Sequence, residues 1–336
     1  MINDYFGDGS DFGINLRYYV EDKPMGTAGS VKNAEEFLDD TFLVISGDAL
    51  TDIDLGKAVE YHYSKGSMAT LVLKKVDIPL EYGVVVTDEN GRITRFLEKP
   101  SWGEVFSDTV NTGIYILSPE VLKYFNKNEM FDFSKDLFPM LLKENKPMYG
   151  YITDEYWCDI GDLMAYSKAH MDVLDGKVKI NIPGNKIKDR VWVGEGTVIE
   201  ENVVIEEPCV IGANTRIKKD SVIGSYSVLG DNNIIGERSG IKRSILWKNN
   251  VLETNTQLRG TVVCSKVNIK EGVFAFENSV IGDDTQIGKN AVIKPSIKIW
   301  PNKIVEGGTE VNSNLVWGSK FVRSIFGFRG VEIGRA

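Results

Sequence analysis

The sequence contains few of the residues that form catalytic triads, disulfide frameworks or zinc sites. Among 336 residues there are two histidines and three cysteines. Cys158, Cys209 and Cys264 are scattered, odd in number and without metal-ligand spacing, which is typical of a reducing compartment. We therefore predict a soluble, cytoplasmic protein whose chemistry does not depend on a Ser–His or Cys–His pair.

Long apolar runs and basic clusters are also missing. No stretch approaches the ~18 apolar residues that a membrane-spanning helix needs, and the first residues do not form an apolar signal region. The formal net charge is −9, and no block of Lys or Arg offsets it. The sequence therefore predicts no binding to nucleic acid and no membrane association.

The second half of the sequence instead has an aliphatic residue at every sixth position. Neither the helix period of 3.6 nor the strand period of 2 produces this spacing, which is typical of short parallel strands coiled into a β-helix. Gly, Asn and Asp lie between these positions, where corners require a positive φ. The positions are Val193, Ile199, Ile205, Ile211, Ile217, Ile223, Leu229 and Ile235, then Ile281, Ile287, Ile293, Ile299 and Val305, with Val251 and Ile269 assigned to the same register.

The first half of the sequence alternates between strand and helix patterns. This alternation predicts a doubly wound α/β sheet, with ligands at the carboxyl ends of its strands. The apolar run 41–46 suits a central strand that is buried on both faces. The other predicted elements are strands at 68–76, 113–117 and near 149–153, a hairpin at 83–98, and helices at 55–65, from about Pro119 and at 132–144.

Acidic residues follow two of these predicted strands. Asp48 follows strand 41–46, and Asp159 follows the strand near 149–153. Either residue alone would most often cap a helix or a turn. As a pair, the two carboxylates are what a Mg²⁺ ion carrying substrate phosphates requires.

Two further segments have the chemistry of a binding site. Glu98 and Lys99 follow the predicted hairpin, where Glu can accept hydrogen bonds from sugar hydroxyls and Lys can neutralise a phosphate. A solvated strand end is the alternative interpretation of this pair. Residues 23–31 place two glycines and a Thr before a helix predicted from about Val31, and amides at a helix start can receive a base or phosphate.

In order, the motifs KPMGTAGS, SGDAL, YGVVV, FLEKP, NTGIYIL and WCDIGD are followed by the six-residue repeats. Over roughly residues 1–318 this order resembles the nucleotide-sugar pyrophosphorylases, or sugar-1-phosphate nucleotidyltransferases. Within that family the sequence is most similar to mannose-1-phosphate guanylyltransferase-like proteins of the type fused to a phosphomannomutase.

The resemblance implies a domain organisation. A Rossmann-like nucleotidyltransferase sheet would occupy residues 1–170 and a linker residues 171–183. A left-handed parallel β-helix of hexapeptide repeats would span residues 184–318, through which the protein would form a homo-oligomer. Residues 319–336 resemble the start of a phosphohexomutase domain.

The resemblance also implies the reaction and the metal site. A sugar-1-phosphate oxygen would attack the α-phosphorus of a nucleoside triphosphate, GTP in the resembling group, and pyrophosphate would leave. Gly26 and Thr27 would lie against the nucleotide base. Asp48 would act in catalysis by holding Mg²⁺ together with Asp159.

By the same resemblance, five residues would bind the sugar-1-phosphate, mannose-1-phosphate in the resembling group. Gly83 would present its backbone to the sugar, and Glu98 would accept hydrogen bonds from its hydroxyls. Lys99 would contact the phosphate and would take part in catalysis. Asn111 and Thr112 would complete the sugar pocket.

One defining motif of this family, GGxGTRxxPxT…PKP, does not occur in these residues. We therefore expect an N-terminally truncated form that lacks the first strand and the phosphate loop, with impaired catalysis. A non-catalytic nucleotide-sugar-binding subunit with a regulatory or assembly role is the alternative. A hexapeptide-repeat acyltransferase would need a general-base His beside its coils, and both His62 and His170 precede the repeats.

Overall fold

The computed structural model describes residues 2–101 and 103–318, together with the backbone of 320–321 and 331–332. The chain folds into two compact units that divide between Asp159 and Ile160. The predicted domain bounds at 170 and 183 stay predictions, and most of the predicted phosphohexomutase-like segment 319–336 lies outside the described residues. None of the helices in the described part is both long and apolar enough to cross a membrane.

The first unit is a mixed β-sheet with helices on both faces, which confirms the predicted doubly wound architecture. Its strands are β1 (Phe42–Ile45), β2 (Ala49–Thr51), β3 (Ala69–Lys75), β4 (Gly83–Thr87), β5 (Ile93–Glu98), β6 (Thr109–Leu117), β7 (Met148–Thr153) and β8 (Trp157–Asp159). The sheet order is β5–β4–β6–β3–β7, with β1 also paired to β6, while β2 and β8 form a separate ribbon.

The helices of the first unit are mostly short. They are α1 (Ile2–Phe6), α2 (Gly26–Lys32), α3 (Leu55–Ser64) and α4 (Phe138–Lys143), with 3₁₀ turns at Ser10–Phe12, Glu35–Phe37 and Pro119–Tyr124 and a π-helical turn at Phe133–Leu137. The predicted helix at 55–65, strand at 68–76 and hairpin at 83–98 are confirmed as α3, β3 and β4–β5. The helix predicted over 132–144 is confirmed as a continuous helical segment, whose first turn, Phe133–Leu137, is π-helical and is continued by α4.

The prediction that strand 41–46 is central and buried on both faces is wrong. β1 pairs only with β6 among the described residues. Phe42 and Val44 pack against the core, whereas Leu43 and Ile45 are 38% and 44% exposed. The strand therefore alternates between a buried and an exposed face, and its composition did not reveal this because all four residues of β1 are hydrophobic.

The prediction of a helix that starts at about Val31 is also wrong, because α2 already begins at Gly26. Two glycines in its first turns made a helix unexpected. They are tolerated because α2 lies directly against the backbone of the segment 129–131. A Cβ on Gly26 would come within 2.5 Å of the Phe131 carbonyl oxygen, and one on Gly29 within 2.6 Å of the Glu129 carbonyl oxygen.

The second unit consists of α5 (Leu163–Leu174) and a parallel β-helix. Between β10 and β30, strands that are three apart in chain order pair in parallel, so that three columns form the sides of the coil. This confirms the predicted coil of hexapeptide repeats. The strands are β9 (Asn185–Lys188), β10 (Val191–Val193), β11 (Val198–Ile199), β12 (Val204–Ile205), β13 (Cys209–Ile211), β14 (Arg216–Ile217), β15 (Val222–Ile223), β16 (Ser227–Leu229), β17 (Ile234–Ile235), β18 (Gly240–Lys242), β19 (Ile245–Leu246), β20 (Val251–Leu252), β21 (Gln257–Arg259), β22 (Val262–Val263), β23 (Asn268–Ile269), β24 (Phe274–Ala275), β25 (Val280–Ile281), β26 (Gln286–Ile287), β27 (Val292–Ile293), β28 (Lys298–Ile299), β29 (Ile304–Val305), β30 (Glu310–Val311), β31 (Lys320–Phe321) and β32 (Val331–Glu332).

The predicted aliphatic positions form the interior of the coil, with two exceptions. Leu246 stacks between Leu229 and Val263 at steps of 17 residues rather than 18, so the six-residue register slips by one. Consequently Leu252 points inward in place of the predicted Val251. Ile199 is 36% exposed because β11 is the end strand of its column.

The corners of the coil have the backbone conformation that the sequence predicted. Residues with positive φ recur between the strands, and many of them are Asn or Asp, such as Asn214, Asn232, Asn290 and Asn302. Their short polar side chains tolerate the left-handed region better than other non-glycine residues do.

Candidate functional site

A cleft opens in the first unit where two strands share one edge of β6. β1 pairs with the end of β6, at Ile114–Leu117, and β4 pairs with Val110 near its start. Between these pairings Gly113 has a φ of 76°, and its carbonyl accepts a hydrogen bond from the Ser46 amide. The cleft measures about 630 Å³ and is lined by Thr27, Ser30, Val31, Val44, Ile45, Ser46, Glu98, Lys99, Gly113, Tyr115, Asp132, Phe133, Ser134 and Lys135.

Glu98 lies at the end of β5, directly opposite Gly83 on β4. A Cβ on Gly83 would come within 2.7 Å of Oε2 of Glu98, so the glycine leaves space for the carboxylate. Oε2 is buried and has no hydrogen-bond partner within the described part of the chain. Burial raises the pKa of Glu98 above its usual value; Lys99 opposes this effect, and Asp132 adds to it. The carboxylate thus has one oxygen whose capacity to accept a hydrogen bond is unused among the described residues.

Lys99 adopts a left-handed backbone conformation, with a φ of 45°. Successive residues of a strand point to opposite faces, so an extended Lys99 would point away from Glu98. The positive φ breaks this alternation, and both side chains line the cleft. Lys99 is also followed by Pro100, which restricts its backbone further. Such strain is concentrated at functional sites in proteins generally.

The opposite wall of the cleft consists of residues that the sequence did not single out. The Asp132 carboxylate accepts hydrogen bonds from the amides of Ser134 and Lys135 and from the Thr27 hydroxyl. The Phe133 amide in turn donates to Thr27 Oγ1. These bonds fix the π-helical turn so that Ser134 and Lys135 face Glu98 and Lys99. A π-turn has no sequence signature, and DFSKD is readily taken for the start of an ordinary capped helix.

Of the two residues predicted to complete the sugar pocket, neither is among those lining the cleft. Asn111 lies behind it, buried, and its Nδ2 donates to the Tyr115 hydroxyl at 2.9 Å and to Ser134 Oγ at 3.3 Å. Thr112 is also buried, and its hydroxyl donates to the Val72 carbonyl. Asn111 therefore contacts two residues of the cleft wall, while Thr112 fastens β6 to β3.

The two predicted metal ligands lie next to one another across the ribbon of β2 and β8. Ala49 is directly opposite Asp159, and the exposed Asp48 immediately precedes Ala49. Mg²⁺ usually takes one or two carboxylates and completes its octahedron with water and substrate phosphates, and the assignment of Asp48 and Asp159 as its ligands stays a prediction. No group of three or more His, Cys, Asp or Glu side chains suited to a metal occurs among the described residues.

Tyr82 and Trp157 are adjacent to this pair of aspartates. Their rings meet edge to face at 5.4 Å, and Trp157 is two residues from Asp159 on β8. Burial, followed by the negative charge of Asp159, raises the pKa of the Tyr82 phenol. The Lys99 amide donates a hydrogen bond to the Tyr82 carbonyl. Tyr82, which contacts the β2–β8 ribbon through Trp157, is thereby connected to Lys99 in the cleft.

Comparison with known proteins relates most of the chain to nucleotidyltransferases. The chain is 41% identical to the UTP–glucose-1-phosphate uridylyltransferase of Synechocystis sp. over 208 residues, which cover 57% of this chain and 54% of that protein. It is 32% identical to the mannose-1-phosphate guanyltransferase of Candida albicans over 311 residues, which cover 90% of this chain and 80% of that protein. The chain thus spans about half the length of the first relative.

A solved structure and two family models also match. The crystal structure of HddC from Yersinia pseudotuberculosis covers 50% of this chain and 71% of that one, with a TM-score of 0.42 and 28% identity. Residues 205–315 match the model of the GMPPB C-terminal domain. Residues 1–176 match the model described as Nucleotidyl transferase. Since this match covers more than half of the chain, the protein belongs to the nucleotidyl transferase family.

Proposed function

We propose that this protein transfers a nucleotidyl group from a nucleoside triphosphate to a sugar-1-phosphate. The observation that carries this proposal is the pair Glu98 and Lys99, one with a buried unpartnered oxygen and the other held in a strained conformation beside it. A carboxylate oxygen and an ammonium group at one end of a cleft suit the hydroxyls and the phosphate of a single ligand.

In the proposed reaction, an oxygen of the sugar-1-phosphate attacks the α-phosphorus of the triphosphate. A new P–O bond forms, the bond to the pyrophosphate oxygen breaks, and the products are a nucleoside-diphosphate sugar and pyrophosphate. This chemistry requires in-line positioning and neutralisation of charge rather than a protein nucleophile. In our proposal Lys99 holds the sugar phosphate, and Glu98 and Gly83 orient the sugar.

The remaining roles also follow the resemblance. Asp48 and Asp159 would hold Mg²⁺, which neutralises phosphate charge when bound. Gly26 and Thr27 would lie near the base, and Thr27 already lines the cleft. Asn111 would support the cleft wall from behind through its hydrogen bonds to Tyr115 and Ser134. Thr112 would hold β6 against β3.

The finer part of the proposal is the identity of the substrates. We propose GTP and mannose-1-phosphate, because the guanyltransferase match extends over 90% of this chain. The uridylyltransferase match has higher identity over fewer residues. UTP with glucose-1-phosphate is therefore the substrate pair to compare with GTP and mannose-1-phosphate. We also propose a cytoplasmic location and a homo-oligomer formed through the β-helix.

A second candidate function is binding without turnover, in a regulatory or assembly subunit. The 336 residues contain no GGxGTRxxPxT motif, so a test of these residues alone measures binding separately from turnover. Loss of a catalytic arginine that neutralises the transferring phosphoryl group costs about 10³-fold or more in other phosphoryl-transfer enzymes. We therefore expect little turnover by these residues alone, with binding of the nucleotide sugar retained.

The test is pyrophosphate release with each pairing of GTP or UTP with mannose-1-phosphate or glucose-1-phosphate. It compares the 336-residue chain with a version extended at its N-terminus by a family-like segment carrying the motif. Activity in the extended version, abolished by Asp48→Asn, would support the enzymatic proposal. Full activity of the 336 residues alone would contradict the expected impairment. No activity in either version, with GDP-mannose bound by both, would favour the second candidate.

A further inference from the structure

Lys135, on the π-helical wall of the cleft, is a cation without a role in the reaction proposed above. It lines the cleft together with Lys99, and its amide donates a hydrogen bond to Asp132 Oδ1 at 3.3 Å, which fixes its backbone there. The side chain is exposed, and within the described part of the chain its ammonium group forms no ion pair. Lys135 therefore presents an uncompensated positive charge to the cleft.

The position of Lys135 is unfavourable for the helix that carries it. The π-helical turn Phe133–Leu137 continues into α4, so Lys135 lies in the first turn of a helical segment that ends at Lys143. The backbone dipoles make the start of a helix positive, and a cation is stabilising at the end of a helix rather than at its start. The stability of this segment therefore does not explain why a lysine lies there.

The charges of the cleft also require a second cation if the cleft is to bind a phosphate. Its charged lining residues are two carboxylates, Glu98 and Asp132, and the two lysines Lys99 and Lys135. A phosphate monoester carries close to two negative charges at neutral pH. With Lys99 alone the lining would have a net negative charge and would repel this anion. Lys135 makes the lining neutral and allows two positive charges to lie beside the phosphate.

Lys99 and Lys135 belong to different elements, on facing walls of the cleft. Lys99 follows β5, and Lys135 lies in the π-helical turn. Lysine binds phosphate as a point charge, so two lysines on facing walls can hold one phosphate from two sides. We propose that Lys135 is a second phosphate-binding residue, which holds the phosphate of the sugar-1-phosphate together with Lys99. Holding this phosphate from two sides would orient the oxygen that attacks the nucleotide. This inference rests on the proposed function.

The first test adds inorganic phosphate to the 336-residue chain, so that it does not depend on the sugar or on the reaction. The lysine side chains are isotopically labelled at Cε, and each NMR signal is assigned by its loss in the corresponding Lys→Arg variant. Phosphate should shift the signals of Lys99 and Lys135 over the same concentration range. A shift of the Lys99 signal without that of Lys135, or a shift of neither, would overturn the inference.

Lys143 is the matched control for Lys135. It lies at the other end of the same helical segment, is also exposed, and forms no ion pair within the described residues, but it does not line the cleft. Its signal should not move when phosphate is added, and Lys143→Gln should not change the binding of any phosphate-bearing ligand.

The second test measures binding of mannose-1-phosphate by calorimetry. Lys135→Gln should weaken binding at least about tenfold, because one charge-assisted interaction is lost. Lys135→Arg keeps the charge and should weaken binding less than about threefold. Added salt should weaken binding less in K135Q than in the original chain, because one charge interaction fewer remains to be screened.

Thermal unfolding separates a loss of binding from damage to the fold. K135Q removes a cation from the first turn of the helical segment, so its unfolding midpoint should be unchanged or slightly higher, whereas K143Q should lower the midpoint slightly. A lower midpoint in K135Q, together with equally weak binding by K135R, would assign the loss of binding to the structure and overturn the inference.

The binding data also distinguish a failure of this inference from a failure of the proposed function. Normal binding of mannose-1-phosphate by K135Q, with weak binding by Lys99→Gln, would overturn the role of Lys135 and leave the proposed function intact. Weaker binding of GTP but not of mannose-1-phosphate by K135Q would assign Lys135 to the nucleotide and overturn the inference in the same way. No binding of mannose-1-phosphate by the original chain would contradict the proposed function, and the phosphate titration would still decide whether Lys135 binds phosphate.

Discussion

The Cβ that Gly83 lacks would come within 2.7 Å of Oε2 of Glu98, its directly opposite partner in the β4–β5 hairpin. Real Cβ atoms do not approach an oxygen so closely. The hairpin register and the glycine together therefore create the space in which this carboxylate lies buried. In strands glycine is disfavoured, and its presence often marks a close approach of another group.

Replacing Gly83 with Ala should displace the Glu98 carboxylate. The new methyl group would also lie 3.0 Å from the Phe96 ring, so both neighbours must move. We expect about tenfold weaker binding of mannose-1-phosphate, from loss of one charge-assisted hydrogen bond, and a loss of stability of about 1 kcal/mol. Calorimetric titration and thermal unfolding measure the two effects. Gly103→Ala is the matched control, because no atom lies within 4 Å of its added methyl. Unchanged binding by G83A would show that the space between Gly83 and the Glu98 carboxylate does not matter for ligand binding.

Two replacements at Lys99 should separate backbone strain from charge. The left-handed conformation costs a non-glycine residue about 1 kcal/mol, and glycine adopts it freely. Lys99→Gly should therefore stabilise the first unit by about this amount and weaken binding of the sugar phosphate. Lys99→Gln should weaken binding equally without the gain in stability, because it retains the strain. Denaturant unfolding and calorimetric titration test both variants, and tight binding by K99Q would contradict a role for the charge.

The β-helix was predictable from the sequence because its core depends on one short, local rule. Most strands contribute one inward aliphatic residue, such as Ile211 or Ile287, and the next lies about six residues on. The rule failed at Val251 because two shorter coils shift the register, and nothing in the local sequence marks which corner loses a residue. It also failed at Ile199, whose exposure depends on its place at the end of a column.

The candidate site was predictable only in part, because its second wall depends on tertiary contacts. Glu98 and Lys99 could be named from a motif. Ser134 could not, since its position results from a π-turn held by Asp132 and Thr27, which are 105 residues apart. The edge position of β1 likewise depends on which strands pair with it, and an all-apolar run carries no information about pairing.

The interior register of the β-helix can be tested with one inward and one outward substitution. Ile211→Asp would bury an unpaired carboxylate between coils, where Ile211 is fully buried, and should cost at least about 3 kcal/mol. Val198→Asp makes the same type of change at a residue that is 50% exposed, and should cost little. Thermal unfolding of both variants gives the comparison. Equal unfolding midpoints would contradict the assigned register.

Stability of the first unit should fall as the pH drops below about 6.5, because His62 is buried and its hydrogen-bond partners in the described part of the chain are uncharged hydroxyls. Its Nδ1 lies 2.9 Å from Thr70 Oγ1 and its Nε2 3.3 Å from Ser118 Oγ. The Ser118 hydroxyl donates to the Ser67 carbonyl, so Nε2 carries the proton and Nδ1 accepts one from Thr70. Burial lowers the pKa of His62 from its ordinary 6.5. The unfolded state therefore binds the proton more readily, and the stability due to neutral His62 is present above 6.5 and lost below it.

Scanning calorimetry of the 336-residue chain between pH 5 and 8 should show this loss, and His62→Gln should remove it. The variant should be less stable at pH 8, since glutamine fills the site less well, but its stability should vary less between pH 6.5 and 5. Glu98 titrates in the opposite sense because its pKa is raised, and this contribution cancels in the comparison of the two proteins. His170, whose pKa burial also lowers, belongs to the second unit and provides the control. His170→Gln should leave the pH dependence of the first unit's transition unchanged, whereas an equally steep acid loss in H62Q would show that other groups cause it.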